Sequence, residues 1–374
     1  LFNKLSMDKI KTKSHMNTLQ KIVPISNYKQ TYTQTLSTHP LFTKIYKKMR
    51  VSIEDIIKHI DIIYTKNKKI HIKDLLDIHV QSVFISDKIR KQLEQTITTV
   101  HTINVTYKHH TLTFYNFCHK DNTNNVHYKQ WTIMAIYALC IAELYNITIE
   151  NLQVYMYPST FKKVFPKKIP ITYDNVNGGY TALSTNKKQR YIVLFRKEDI
   201  ENVFVHECIH YLDIEHKLFR QSDTFIKTFF TIQSSILLSE GYVEILTILY
   251  VSICNSILLN IDVGDILYNE LLYGLLQSNK VFSLYDITDT HTFINWKDDT
   301  NTFAYVIIKT VCLYHIDLFL NLFLDHTKID DKSFSFFIIQ HFKSISHLFF
   351  NPIHKIPSVF LKKTFKKSIY DISW

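Results

Sequence analysis

The chain has 374 residues, 46% of them hydrophobic, with 26 Phe and 23 Tyr, which excludes a disordered protein and allows a sizeable core. Its formal net charge of +11 is uneven: +10 over residues 1–100, −4 over 101–327 and +5 over 328–374. The basic N-terminal segment is expected to bind polyanions weakly, but no nucleic-acid motif or arginine cluster accompanies it, so a nucleic-acid-binding protein is a secondary alternative.

In chain order, the first 95 residues are expected to form a basic, mainly helical segment, with helices over Ile53–Tyr64 and Ile72–Phe84. Residues 97–117 alternate Thr, Val, Ile and aromatics around a polar Lys108-His109-His110 break, the pattern of a β-hairpin. An amphipathic helix follows over Tyr128–Tyr145 and a strand over Leu152–Tyr157. A second hairpin is expected over Asn175–Phe195, where Gly178-Gly179 fall among only five glycines and supply either a positive φ or a close backbone approach. Beyond Glu198 the pattern is helical, near 221–234, 236–259, 265–279, 303–323 and 333–349, and Pro352 and Pro357 break the end. A domain boundary is expected near residue 96, with a β-containing lobe over 96–216 and a helical lobe over 217–374.

Two further features bound the class. Cys118, Cys140, Cys208, Cys254 and Cys312 are odd in number with no CxxC pair, as free thiols in a reducing intracellular compartment would be, and no signal peptide is visible at the start. The uncharged run Ile245–Ile261 approaches the length of a membrane span. Its Ser252, Asn255 and Ser256, and the preceding Glu240 and Glu244, favour a buried core helix, so no membrane span is expected.

The chemistry concentrates at His206-Glu207-Cys208-Ile209-His210, an HExxH motif in a run of uncharged residues. On a helix, positions i and i+4 lie about 40° apart, so both imidazoles leave one face as a zinc ion requires. Glu207 then stands one step round, placed to take a proton from water without ligating the metal. The third ligand has two candidates. His216 completes a metzincin-like spacing, but Asp213 replaces the turn glycine and every Met lies upstream. Glu240 pairs with Glu244 at i, i+4 in SSILLSEGYVEILTIL, the gluzincin-like arrangement: Glu240 as ligand and Glu244 orienting a ligand histidine. Tyr180, Tyr211 and Tyr242 are weak candidates for an oxyanion donor.

Beyond the motif, roughly residues 95–374 resemble a family of HExxH proteins encoded by nucleocytoplasmic large DNA viruses, the giant viruses. The resemblance runs through Asn177–Thr181, FRKEDIENVFVHECIH, SEGYVEILTIL, NELLYGLLQSNKVF, TNTFAYVIIKTVCL and the terminal KKTFKKSIYDIS. It departs at Asp213, where the family has glycine. It implies a Glu third ligand and a zinc peptidase of the infected cell's cytoplasm or the virion.

The expectation is therefore an α+β, zincin-like metallopeptidase with zinc as cofactor, Glu207 as general base and a peptide or protein substrate that pairs with the Tyr191–Phe195 strand. The alternative from another class is a non-enzymatic virion or scaffold protein that keeps zinc for stability; the intact Glu207 argues against it.

Overall fold

The computed structural model describes residues 16–369 except 22, 24, 26–27, 67–78, 80–81, 98, 119–125, 185–189, 216–223, 325–329 and 351–358. The elements in order are α1 (Tyr28–Thr38), α2 (Pro40–His59), β1 (Asp61–Lys66), α3 (Asp87–Thr96), β2 (Thr99–Tyr107), β3 (His110–Cys118), α4 (Val126–Tyr145) and β4 (Leu152–Ser159). There follow α5 (Tyr173–Val176), β5 (Gly179–Ala182), β6 (Tyr191–Arg196), α6 (Ile200–Tyr211), α7 (Thr224–Phe230), α8 (Leu238–Leu259) and α9 (Val263–Leu284). A π-helix (Phe303–Ile308) then leads into α10 (Lys309–Tyr314), α11 (Ile316–Phe323), α12 (Asp331–Phe350) and α13 (Val359–Lys363).

The fold is α+β. One mixed sheet has the order β1-β2-β3-β4-β6-β5, with β3, β4 and β6 parallel and the remaining pairs antiparallel. The first hairpin forms as its alternation demands, Ile103 opposite Phe114 and Val105 opposite Leu112, with Lys108 at φ 52° in the turn. The second also forms, Gly179 opposite Leu194 and Ala182 opposite Tyr191. It makes β5 the sheet edge. Tyr191–Arg196 lies between β4 and β5, so the strand expected to receive a substrate has both sides already paired.

Several elements depart from expectation for identifiable reasons. The helix expected over Ile53–Tyr64 stops at His59, and Asp61–Lys66 pairs with His101–Thr106 instead, because its Ile-Ile-Tyr-Thr run satisfies a ladder that β2 would otherwise leave open. The helix expected over Ile72–Phe84 lies largely outside the described residues, and the next helix starts at Asp87. The expected amphipathic helix, α4, is buried on all sides from Gln130 to Ala142, because α2 and α6 both pack on it. The run expected as one helix over 303–323 divides at His315, where the chain bends by 98°.

The boundary expected near residue 96 does not coincide with a break in packing. Helix α2 starts at a His39 cap, whose Nδ1 accepts from the Phe42 N–H at 3.3 Å, with Pro40 in its first turn. Its stripe of Phe42, Met49, Ile53 and Ile56 enters the same apolar core as Met134, Ile209, Leu249 and Leu313. That core also joins the two expected lobes. A second, smaller cluster fills the other face of the sheet, where Ile89 and Leu93 of α3 meet Tyr157 and Phe195.

Helix α8 is long and apolar enough to cross a membrane, yet 83% of its most apolar window is buried against α6, α9 and the π-helix. It is a core helix. All five cysteines are buried free thiols.

Candidate metal centre

Strand β6 delivers the chain through Lys197–Asp199 into α6, and Asp199 takes φ 60° at the N-cap to make the turn. Burial of Val205, Cys208 and Ile209 fixes the rotation of α6, so that the His206 and His210 face meets α8 and the cleft. The two Nε2 atoms lie 3.2 Å apart. The Glu240 carboxylate from the first turn of α8 closes the triangle, at 3.1 Å from His206 Nε2 and 3.6 Å from His210 Nε2. Among the described residues these three side chains form the cluster able to hold a metal, with ligand atoms within 4.8 Å of one another.

The donor set fits zinc. Tetrahedral ligands about 2.0–2.1 Å from one ion stand roughly 3.3 Å from each other, close to the imidazole separation found here. The outer nitrogens carry the tautomer. His206 Nδ1 lies 3.1 Å from Glu244 Oε2, and His210 Nδ1 bonds the Glu215 carboxylate. A carboxylate can only accept, so each Nδ1–H donates outward and each Nε2 lone pair points into the triangle. Two lone pairs and a carboxylate converging on one point call for a cation. Among the described residues the donors are two nitrogens and one oxygen, and a tetrahedral ion held by these alone would keep a fourth position for water.

With no ion between them, the carboxylates around the triangle favour a proton on His210, whose place a bound cation would take. Burial by itself would lower the His210 imidazole, but Glu240 and Glu215 outweigh it and hold the ring well above its ordinary range. Burial would likewise raise the Glu244 carboxyl, yet Lys367 and Lys309, with the His206 bond, hold it well below the usual carboxylate range. The partners of Glu244 are thus two lysine ammonium groups as well as the His206 Nδ1–H.

Glu207 turns from the same helix into a cleft of about 360 Å³, whose wall includes Thr181, Asn301, Tyr305 and Lys367. Its Oε2 lies 2.8 Å from Thr181 Oγ1, which also reaches the Glu207 carbonyl at 2.9 Å. That hydroxyl belongs to β5, so the edge strand and the carboxylate are fixed to each other. Gly178 and Gly179 have negative φ, and close approach is their purpose: a Cβ on Gly179 would sit 2.8 Å from the Val193 carbonyl and from Val203 of α6.

The expected residues divide cleanly. His206, Glu207, His210, Glu240 and Glu244 come together. His216 lies outside the described residues. Tyr180 lines the cleft, but its hydroxyl donates to the His79 carbonyl at 2.7 Å. The hydroxyl of Tyr211 faces the Asn151 carbonyl, and Tyr242 is fully buried against the Phe323 carbonyl, so neither is placed as a donor to the cleft.

Sequence reasoning missed Glu215, Thr181, Lys309, Lys367 and Tyr305. Tyr305 sits in the π-helix with its ring 6.0 Å from that of His206. Burial, reinforced by Glu240 and Glu207, holds its phenol well above its ordinary range, in the form that can donate. Gly241 admits it: a Cβ there would fall 2.6 Å from Ile308 Cγ2, pushing the π-helix off α8. Glu215 stands next to His216 in the string Asp213-Ile214-Glu215-His216, and Thr181, Tyr305, Lys309 and Lys367 fall within the blocks of the resemblance, the signals that could have been used.

No protein-family model matches the chain, and no solved structure matches it. Over 352 residues it is 22% identical to an uncharacterized protein of Acanthamoeba polyphaga mimivirus, covering 89% of this chain and 77% of that protein. The similarity supports a giant-virus origin. The covered share exceeds what residues 96–374 can supply, so the likeness extends into the first 95 residues as well.

Proposed function

We propose that the chain is a zinc-dependent metallopeptidase of the gluzincin-like, zincin type. The observation that carries this is the convergence of His206 Nε2, His210 Nε2 and the Glu240 carboxylate, with a further carboxylate, Glu207, facing the same cleft. Zinc bound there would act as a Lewis acid on a carbonyl and bring the pKa of a water toward neutrality.

The chain's own residues supply the rest. Glu207 Oε2 is the proton acceptor, held toward the cleft by Thr181. Glu244 and Glu215 keep both imidazoles in the ligating tautomer. The edge strand β5 lies along the cleft beside Glu207, and its outer backbone groups can pair with an extended peptide. Tyr305, which lines the cleft with its ring 6.0 Å from that of His206, is the best-placed donor to an oxyanion. The likeness to a giant-virus protein is consistent with action in an infected cell or virion. A scaffold that merely kept a metal would have no use for Glu207 or for an open cleft beside it.

The test is Glu207→Gln. It keeps the shape and removes the base, so zinc content and melting temperature should match wild type. Hydrolysis of a peptide library should fall by roughly 10²–10⁴. Equal hydrolysis by both proteins, or none by either across a broad library, would remove the enzymatic reading and leave the metal site.

A further inference from the structure

Residues 364–369, in the terminal block KKTFKKSIYDIS, pack into the core beside the metal centre. Thr364 forms a bridge with Val164, and the Phe365 N–H bonds the Lys163 carbonyl at 3.0 Å. The Lys367 N–H donates to Asp199 Oδ2 at 2.9 Å, the same oxygen that Lys163 Nζ meets at 2.9 Å. The Lys367 carbonyl accepts from Lys309 Nζ at 2.5 Å. Ser368 Oγ and the Ile369 N–H both bond Glu270, at 2.5 and 3.2 Å.

So fastened, the backbone leaves one side chain aimed at the site. Lys367 Nζ lies 3.4 Å from Glu244 Oε2, the oxygen that faces His206 Nδ1 at 3.1 Å. Lys309 Nζ faces the other oxygen at 3.3 Å. The Lys367 ammonium also caps the Tyr305 ring, 3.9 Å from its centroid, and lines the cleft.

We propose that Lys367 is a positioning residue of the metal centre, which acts through Glu244 on His206 and makes the C-terminal segment part of the site. This rests on the zinc reading given above. The argument is one of cost. Two ammonium groups gathered on one buried carboxylate at the edge of the core stabilise a fold no better than apolar residues of the same volume, and often less well. Their geometry ends at the imidazole. With both oxygens of Glu244 fixed by lysines, the carboxylate cannot rotate away from Nδ1, and the His206 lone pair keeps its aim. Without Lys367, the oxygen facing His206 loses its second partner and is free to turn.

Zinc affinity decides the matter, measured on the full chain by competition with a chromophoric chelator, with each metal-free protein also melted. Lys367→Met should weaken zinc about tenfold, at the lower end of the range for groups that support a ligand. Lys367→Arg should stay within about threefold of wild type, and Lys367→Gln replaces the Met variant if that does not fold. In a Glu244→Gln background, Lys367→Met should add no further loss. Ser368→Ala, which loosens the same segment without touching its charge, should lower the metal-free melting temperature and leave affinity alone.

Wild-type affinity in Lys367→Met, or the same loss with and without Glu244, would overturn the proposal while sparing the zinc reading. So would a loss in Ser368→Ala equal to that in Lys367→Met, because the segment's docking would then account for the effect. A wild-type chain that binds no zinc would overturn both.

Discussion

The two imidazoles of the motif stand one helical turn apart and are held in different ways. His206 is 2% exposed, and its outer nitrogen rests on Glu244, which is pinned by lysines from the π-helix junction and the C-terminal segment. His210 is half-buried, and its outer nitrogen rests on Glu215, five residues along in the turn that ends α6. That turn runs through Asp213 at φ 60°, a conformation an L-residue adopts at a cost. One histidine is thus supported by contacts between distant parts of the chain, the other by its immediate neighbours. The rigid partner should set where the metal sits, and the local one should set how readily it leaves.

This contrast predicts a graded series. The largest effect should come from the ligands themselves: His206→Ala or Glu240→Ala should leave no stoichiometric zinc, read by metal analysis after purification without chelator. Glu244→Gln should follow, with zinc affinity down by about 10–100-fold, because a neutral amide accepts the imidazole proton more weakly and leaves Lys309 and Lys367 without their anion. Glu215→Gln should cost less, about tenfold, since Glu215 is held beside His210 by their shared turn and its amide oxygen would still accept from Nδ1. Equal losses in the two variants would erase the distinction between the supports. The smallest effect is one of stability. Asp213→Gly should relieve the left-handed backbone by roughly 1 kcal/mol against the entropy that glycine adds to the unfolded chain, raising the melting temperature by about 1–2 °C with affinity unchanged.

The same division separates what could be seen in the sequence from what could not. His206, Glu207 and His210 follow from helical spacing, and Glu240 with Glu244 from the same i, i+4 rule applied to an apolar run. The hairpins over 97–117 and 175–195 follow from alternation around polar or glycine-containing turns. Each of these is a local pattern. Thr181, Lys309 and Lys367 reach the site only through sheet pairing and helix packing, and no spacing within their own segments marks them. Tyr305 depends on a π-helix and on Gly241 opposite it, a pairing visible only once both helices are placed.

Strand β1 illustrates the same limit in the fold. Its residues suit the end of a helix as well as a strand, and the open edge of β2 decides between them. The basic N-terminal segment is expected to stand apart because the pattern changes at residue 97 and every candidate ligand lies after residue 200. Charge marks the solvent face of α2, while Phe42, Met49, Ile53 and Ile56 mark the face that joins the core. Removing residues 1–95 would therefore expose the α2-facing sides of α4 and α8, and the truncated chain should fail to give a cooperative thermal transition.

The central claim is a single zinc ion held by two imidazoles and one carboxylate. X-ray absorption at the zinc edge, on protein purified without chelator and shown to carry about one zinc per chain, tests it most directly. The account predicts a low-coordinate site, two imidazole scattering signatures and oxygen or nitrogen neighbours at about 2.0–2.1 Å, with no sulfur. Protein without stoichiometric zinc, or zinc with sulfur neighbours at about 2.3 Å, would contradict it.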